Sequence, residues 1–415
     1  MNQNRNIIIY FIGKLFPAIT QLLIIVLGIR LIGASEYGKF NLVYNTALII
    51  ASLSVGWIQQ GILRYFHSFK KSIELVRGDF LQIGLYSSLL ASVIALLSGI
   101  YYFHLQTLPL LTYIAFAMLF GLFLIELTLL QVQFKATQYS FIESSYNVFS
   151  IILGVLFILY TAGRDFTTFF LPIFLSLLLV VFLLAAWIIK NRQVSFIPLN
   201  KSFIIQIFSY GVPLTLWLLI SNVFNIADRY VIKYYLDYDA VGKYSAVYDL
   251  IYKVSGFLTL PILLAFHPSI AKYWNENKKH EADQLMKITI IKELSLSIII
   301  FGFLYIFKDF VFSKILKLEI HNFTVIFLPL AISSILWQLS MIIQKPLEFN
   351  QLQLKMILGI LIAITLNVML NFMLIPKYGI YVCGFTTLIA TLFYTVYVYL
   401  YSRNELKPQE LNNEG

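Results

Sequence analysis

The stretch Tyr37-Gly38-Lys39-Phe40-Asn41-Leu42-Val43-Tyr44-Asn45 returns as Val241-Gly242-Lys243-Tyr244-Ser245-Ala246-Val247-Tyr248-Asp249, at a constant offset of 204 residues. Gly, Lys, Val and Tyr coincide outright, and Phe/Tyr and Asn/Asp are near matches. Each copy stands where an apolar segment begins, and the offset is about half of the 415-residue chain. The reading is two halves of six spans each. Six is even, so both halves enter a membrane in the same sense, and a pseudo-twofold axis along the membrane normal is expected. A cleft between such halves, with a site near the midplane, is the layout of alternating access.

Working outward, 60% of the residues are hydrophobic and only 12% charged. A soluble chain of this length would need far more polar surface to cover its core. A span takes roughly 20 apolar residues, and twelve can be marked near 8–30, 41–63, 80–103, 109–132, 143–162, 167–189, 205–227, 244–270, 287–307, 322–344, 354–375 and 379–401. The fold class is therefore an all-α polytopic membrane protein with about 12 transmembrane helices in two pseudo-symmetric six-helix bundles. Domain bounds follow as 1–190 and 203–402, joined by a polar cytoplasmic linker at 191–202 and followed by a short cytoplasmic tail at 403–415. No room is left for a soluble catalytic domain. The first apolar stretch is long and reads as a retained span, not a cleaved leader.

The net charge of +10 (30 Lys and Arg against 20 Asp and Glu) is read as topology, not as affinity for nucleic acid. Seventeen of the cations fall at the termini and in even-numbered connections, ten in odd-numbered ones. By the positive-inside rule both termini lie in the cytoplasm. The longest inner connections, 64–79 and 272–287, mix charge with apolar residues and read as amphipathic surface segments. Cys383 is the single cysteine and reads as packing. The five histidines show no metal-ligand spacing, and no cofactor is expected.

Ionisable and amide side chains inside spans are expensive, so they are the functional candidates. Lys14 shares a face of the first span with Pro17 and Gln21. Asn45, Ser52 and Gln59 share a face of the second, which ends at Arg64. Glu126 lies in the fourth, and Asn222, Asn225, Asp228 and Arg229 in the seventh. Ser245, Asp249, Lys253 and Gly256 form a stripe on the eighth. The repeat makes Asn45 and Asp249 equivalent. Each has a structural alternative: Asp249 and Lys253 can pair as i, i+4, Lys14 can snorkel, Asp228-Arg229 can be a solvated helix end, and Glu126 can hold a neighbouring helix.

Three stretches resemble a known family: Leu31-Ile32-Gly33-Ala34-Ser35-Glu36-Tyr37-Gly38-Lys39-Phe40; Gly211-Val212-Pro213-Leu214 with Asn225-Ile226-Ala227-Asp228-Arg229-Tyr230; and Asn367-Val368-Met369-Leu370-Asn371-Phe372-Met373-Leu374-Ile375-Pro376-Lys377-Tyr378-Gly379-Ile380 with Gly384. Their order and spacing resemble the polysaccharide transporter branch of the multidrug/oligosaccharidyl-lipid/polysaccharide (MOP) exporters, and within it the Wzx-type O-antigen flippases. The resemblance implies a bacterial inner-membrane flippase, not an enzyme, that carries an undecaprenyl-diphosphate-linked oligosaccharide through a cationic cavity. It implies as partners the lipid bilayer, the glycan polymerase and chain-length regulator of the pathway, and H+ or Na+ as coupling ion, with no nucleic acid. On this reading Lys14, Arg64, Arg229 and Lys253 meet phosphate, Asn45, Gln59, Asn222 and Asn225 meet sugar hydroxyls, and Glu126, Asp228 and Asp249 are candidates for ion coupling. The competing classes are a cation-coupled multidrug antiporter on the same fold and a membrane-embedded glycan polymerase.

Overall fold

A computed structural model describes residues 3–66, 72–161, 163–318 and 320–406, with side chains at all of these except 3–16, 260, 261, 264, 265, 268 and 320–324. The helices in order are α1 (Gln3–Tyr65), α2 (Ile73–Tyr101), α3 (Thr107–Val132), α4 (Ala136–Tyr160), α5 (Phe166–Lys190), α6 (Lys201–Tyr235), α7 (Tyr238–Asn275), α8 (Lys279–Ile306), α9 (Ile320–Ile343), α10 (Lys345–Phe349), α11 (Gln353–Tyr378) and α12 (Cys383–Leu406). A π-helical turn (Phe310–Ile315) and a 3-10 turn (Gly379–Val382) complete the set. Among the described residues there is no strand.

Among the described residues, nine stretches are long and apolar enough to cross a membrane. Two of them, Pro17–Tyr65 and Gln353–Leu406, are double. The first breaks at Gly33, whose φ of 86° and ψ of 166° lie in a region that only glycine enters readily. A straight helix of 63 residues would run about 95 Å, some three bilayer cores. Instead the two arms of α1 turn onto each other, so closely that a Cβ on Gly28 would run into the Tyr37 ring. The second stretch breaks at Gly379, where φ is 67°. With α7, a helix of 38 residues, these make twelve passes among the described residues. The chain is a multi-pass membrane protein.

The chain packs as two units, residues 1–226 and 227–415. In the first unit, α2 from Gly84 onward turns large apolar residues outward and small ones inward. Helix α2 exposes Tyr86, Leu89, Leu90, Val93 and Leu97 and buries Ser88, Ala91, Ala95 and Gly99. Lipid removes the hydrophobic drive between helices, so close packing of small residues takes its place. One cluster of the unit joins Val55, Ile58 and Ile62 of α1 to Phe80 of α2, Ile125 and Leu129 of α3, and Phe203 and Ile207 of α6. Helix α6 thus begins in the first unit and ends in the second. At Gly211 its backbone comes so close to α1 that a Cβ would stand 2.9 Å from the Trp57 Cα.

Residues 193–200, expected as part of a plain linker, are tied to α2. The Ser195 amide donates to the Glu74 carbonyl at 3.0 Å, and Gln82 Nε2 to the Ile197 carbonyl at 3.1 Å. In the second unit α12 packs chiefly on α9 and α11, and α7 on α8 and α9. Aspartates cap two helices: Asp165 accepts the Thr168 amide and Asp237 the Ala240 amide, both at 2.8 Å.

Two connections differ from expectation. Only Glu276, Asn277 and Lys278 separate α7 from α8, so most of 272–287 continues the helices and is no separate surface segment. Asn277 turns with φ of 58°. Likewise α2 starts at Ile73, and Arg77 and Asp79, read as loop residues, are each 1% exposed within it. Residues 67–71 lie outside the described residues.

Candidate functional site

The second unit holds a buried polar cluster, built where four helices meet. Near the end of α6, Asp228 and Arg229 are adjacent and so point about 100° apart around the helix. Each therefore addresses a different neighbour. The Asp228 carboxylate accepts three hydrogen bonds, from Tyr244 of α7 (2.5 Å), Asn371 of α11 (2.7 Å) and Thr387 of α12 (2.8 Å). Asn371 is itself fixed, accepting from Thr386 Oγ1 at 2.6 Å and donating to Asn367 Oδ1 at 3.2 Å. A buried carboxylate is tolerable only when hydrogen-bonded or paired, and here neutral donors from three helices meet that need.

Arg229 turns to α7 and meets Asp249 at 2.5 Å, with 2% of its side chain exposed. Its guanidinium also lies 5.0 Å from the centre of the Tyr248 ring, which stacks on Tyr252 at 4.1 Å. The alternative pairing of Asp249 with Lys253 is thus replaced by a partner twenty residues away. Lys253, one turn further along α7, is half-buried, and no ion pair to it occurs among the described residues.

The repeat explains why only this half carries the pair. At the 204-residue offset, Asp228 and Arg229 correspond to Ile24 and Ile25. With no cation opposite, the position equivalent to Asp249 is the neutral Asn45. Its Nδ2 donates to the carbonyl and side-chain oxygens of Asn41 at 2.8 and 3.0 Å.

The other sequence candidates are dispersed. In the first unit, Gln59 Nε2 donates to Thr128 Oγ1 at 2.9 Å, joining α1 to α3. Arg64 is exposed, its guanidinium 5.9 Å from the Tyr210 ring centre. Asn222 is exposed and Asn225 half-buried on α6. Glu126 is buried on α3, 3.6 Å from Arg77. Both Glu126 oxygens lack a hydrogen bond among the described residues. Arg77 also donates to Gln193 Oε1 at 2.8 Å. The side chain of Lys14 lies outside the described residues.

Several residues that build these clusters were not singled out as candidates from sequence. Tyr244 stands in the repeat, and Asn367 and Asn371 in the third motif, so a signal existed. Thr386 and Thr387 gave none, because a threonine in an apolar run carries no charge to flag it. Glu293 is 0% exposed on α8 and accepts from Thr259 at 2.5 Å. Its signal was a carboxylate inside the span read at 287–307. Among the described residues no group of three His, Cys, Asp or Glu side chains could hold a metal ion.

The sequence profile of the polysaccharide biosynthesis protein family matches residues 4–274, well over half of the chain. The chain belongs to this family. No curated protein sequence matches it. Among solved structures, this family member is similar to a lipid II flippase, MurJ, in an inward closed conformation, with TM-score 0.74 and 12% identity over 96% of this chain and 89% of that one. It is similar to a multidrug resistance MATE family transporter of the MOP superfamily in its outward-facing conformation, with TM-score 0.70 and 15% identity over 97% and 95% of the two chains. The inward-facing conformation of a MATE family transporter gives TM-score 0.71 and 14% identity over 95% and 94%. At these identities the likeness is one of fold: the chain shares the fold of these MATE and MurJ structures.

Proposed function

We propose that the protein flips an undecaprenyl-diphosphate-linked oligosaccharide, an O-antigen or capsular repeat unit, across the bacterial inner membrane by alternating access. The family match carries the reading: a chain of the polysaccharide biosynthesis family whose described residues are almost all in spanning helices acts on glycan by moving it. The physical task is to neutralise a diphosphate and hydrate sugars inside hydrocarbon. Lys253, half-buried on a spanning helix, is the leading anion contact, since a charge-assisted bond to phosphate offsets its desolvation. Arg229 would reach phosphate only by exchanging it for Asp249. Lys14 and Arg64 are the remaining cations proposed. Asn222 and Asn225 are proposed to meet sugar hydroxyls, as are the amide oxygens of Asn45 and Gln59.

Of the coupling candidates, Asp228 has the most to transmit. A proton or Na+ arriving at its carboxylate would displace donors from α7, α11 and α12 together. Asp249 and Glu126 are each held by an arginine instead. Both termini are proposed to be cytoplasmic, and the pathway's polymerase and chain-length regulator are proposed partners.

The test is expression in a flippase-null strain with surface glycan as readout. The unmodified chain restores the glycan, and Lys253→Glu abolishes restoration. Restoration by the Lys253→Glu and Arg229→Glu chains alike would remove the cationic contacts from the mechanism. The fold shared with MATE transporters favours one competing reading, a cation-coupled drug antiporter. Raised drug tolerance with no glycan restored would establish that reading instead.

A further inference from the structure

A cavity of about 430 Å³ opens in the second unit between the first turns of α8 and the last turns of α12. Helix α8 turns Asp283, Lys287 and Ile290 toward it, and α12 turns Tyr399, Ser402 and Arg403, each set on one helical face. Ile343, the last residue of α9, also lines it. The lower wall is apolar and the mouth charged.

Two observations single it out. The first is Ser402. It is 2% exposed, lines the cavity, and its hydroxyl has no hydrogen-bond partner among the described residues. Buried helical serines normally bond the carbonyl four residues before, as Ser150, Ser176 and Ser221 do here at 2.7–2.8 Å. Ser402, like Ser88, Ser245 and Ser255, does not, and of these four only Ser402 lines this cavity; a buried hydroxyl left unmade is unfavourable. The second is the balance of charge. Lys287 pairs with Asp283 at 2.6 Å, but its side chain is 68% exposed, so the pair is weak and open to exchange. Arg403 is exposed, and no ion pair to it occurs among the described residues. The mouth therefore carries one cation more than it balances. A second groove of about 370 Å³, between α4 and α5, is lined by Phe141, Leu183 and Trp187 and by no charged side chain, so it offers nothing to an anion.

We infer that the cavity between α8 and α12 is a binding site for an anionic phospholipid. Its phosphate sits between Lys287 and Arg403 and accepts the Ser402 hydroxyl, and its upper acyl carbons run along Ile290, Ile343 and Tyr399. Basic pockets between helices at a membrane face bind anionic headgroups in this way. The inference goes beyond the flippase reading and stands without it, because the ligand is a bulk membrane lipid and the readout is binding.

The test is native mass spectrometry of the purified full chain with palmitoyl-oleoyl phosphatidylglycerol or the matching phosphatidylcholine. Phosphatidylglycerol should be retained in preference. Lys287→Gln and Arg403→Gln should each weaken it about fivefold, the equivalent of roughly 1 kcal/mol per cation at a membrane surface. Ser402→Ala, which keeps every charge, should weaken it as well. Equal retention of the two lipids would overturn the site, as would a preference that survives both charge substitutions. A chain ending at Leu406 should bind as the full chain does. Binding that appears only after this truncation would mean that residues 407–415 fill the cavity, and would also overturn the inference.

Discussion

At the scale of single residues, Arg229 and Asp249 give the sharpest expectation. A buried ion pair is a poor source of net stability, but removing one partner leaves the other charged and alone. Arg229→Gln and Asp249→Asn should each destabilise the protein by about 3–5 kcal/mol. The double variant should recover much of that loss, because it leaves two neutral groups. Thermal unfolding in detergent measures all three, and simple additivity would contradict the pairing. The reciprocal substitution, Asn45→Asp, puts an acid where the repeat supplies Ile24 and Ile25. It should destabilise by about 1–3 kcal/mol, with no gain from any nearby arginine.

These residues also mark what was legible. A charge in an apolar run announces itself, so Asp228, Arg229, Asp249 and Lys253 were found from sequence. Which of them pair was not legible, since Asp249 chose a partner on another helix over the neighbour one turn away. Arg77 was missed for the opposite reason: it lies so near a span's edge that it reads as a loop cation, yet it is 1% exposed.

At the scale of elements, the helix α6–α1 contact decides between two effects of opposite sign. Replacing glycine by alanine inside a helix ordinarily gains about 1 kcal/mol. At Gly154 nothing lies within 4 Å of the new Cβ, so Gly154→Ala should leave the melting temperature unchanged or raise it. At Gly211 the Cβ would enter the Trp57 backbone, and a backbone cannot rotate away. Gly211→Ala should destabilise by about 1–3 kcal/mol net, as overpacking does. Equal melting temperatures for the two variants would argue against the contact. The twelve spans were legible because lipid demands long apolar runs. Their ends were not, because helices such as α7 extend past the apolar stretch into charged turns held by caps like Asp237. Those extensions leave only short connections.

At the scale of the whole molecule, the proposed orientation can be read directly. With Cys383 replaced by serine to clear the background, a cysteine at Leu236 should react in whole cells with a reagent that cannot cross the membrane. A cysteine at Asn277 should react only after the cells are opened. The reverse pattern would invert the topology and, with it, the proposed direction of glycan transfer. The two copies of the repeat were visible because four of their nine residues coincide at one offset. Their division of labour was not, since it rests on Ile24 and Ile25, two unremarkable residues that matter only when set beside Asp228 and Arg229.

The binding of residues 193–200 to α2, and of the start of α6 to α1, bears on how the chain could be divided. The loop is an adhesive seam, not a free tether. Two separately synthesised fragments, 1–196 and 197–415, would carry matching surfaces: the second would present Phe203, Ile207 and Gly211 to the α1 face that the first leaves bare. A gene cut there should yield halves that find each other in the membrane. A cut at Ile226 would instead sever a helix in mid-course, with no loop to supply new ends.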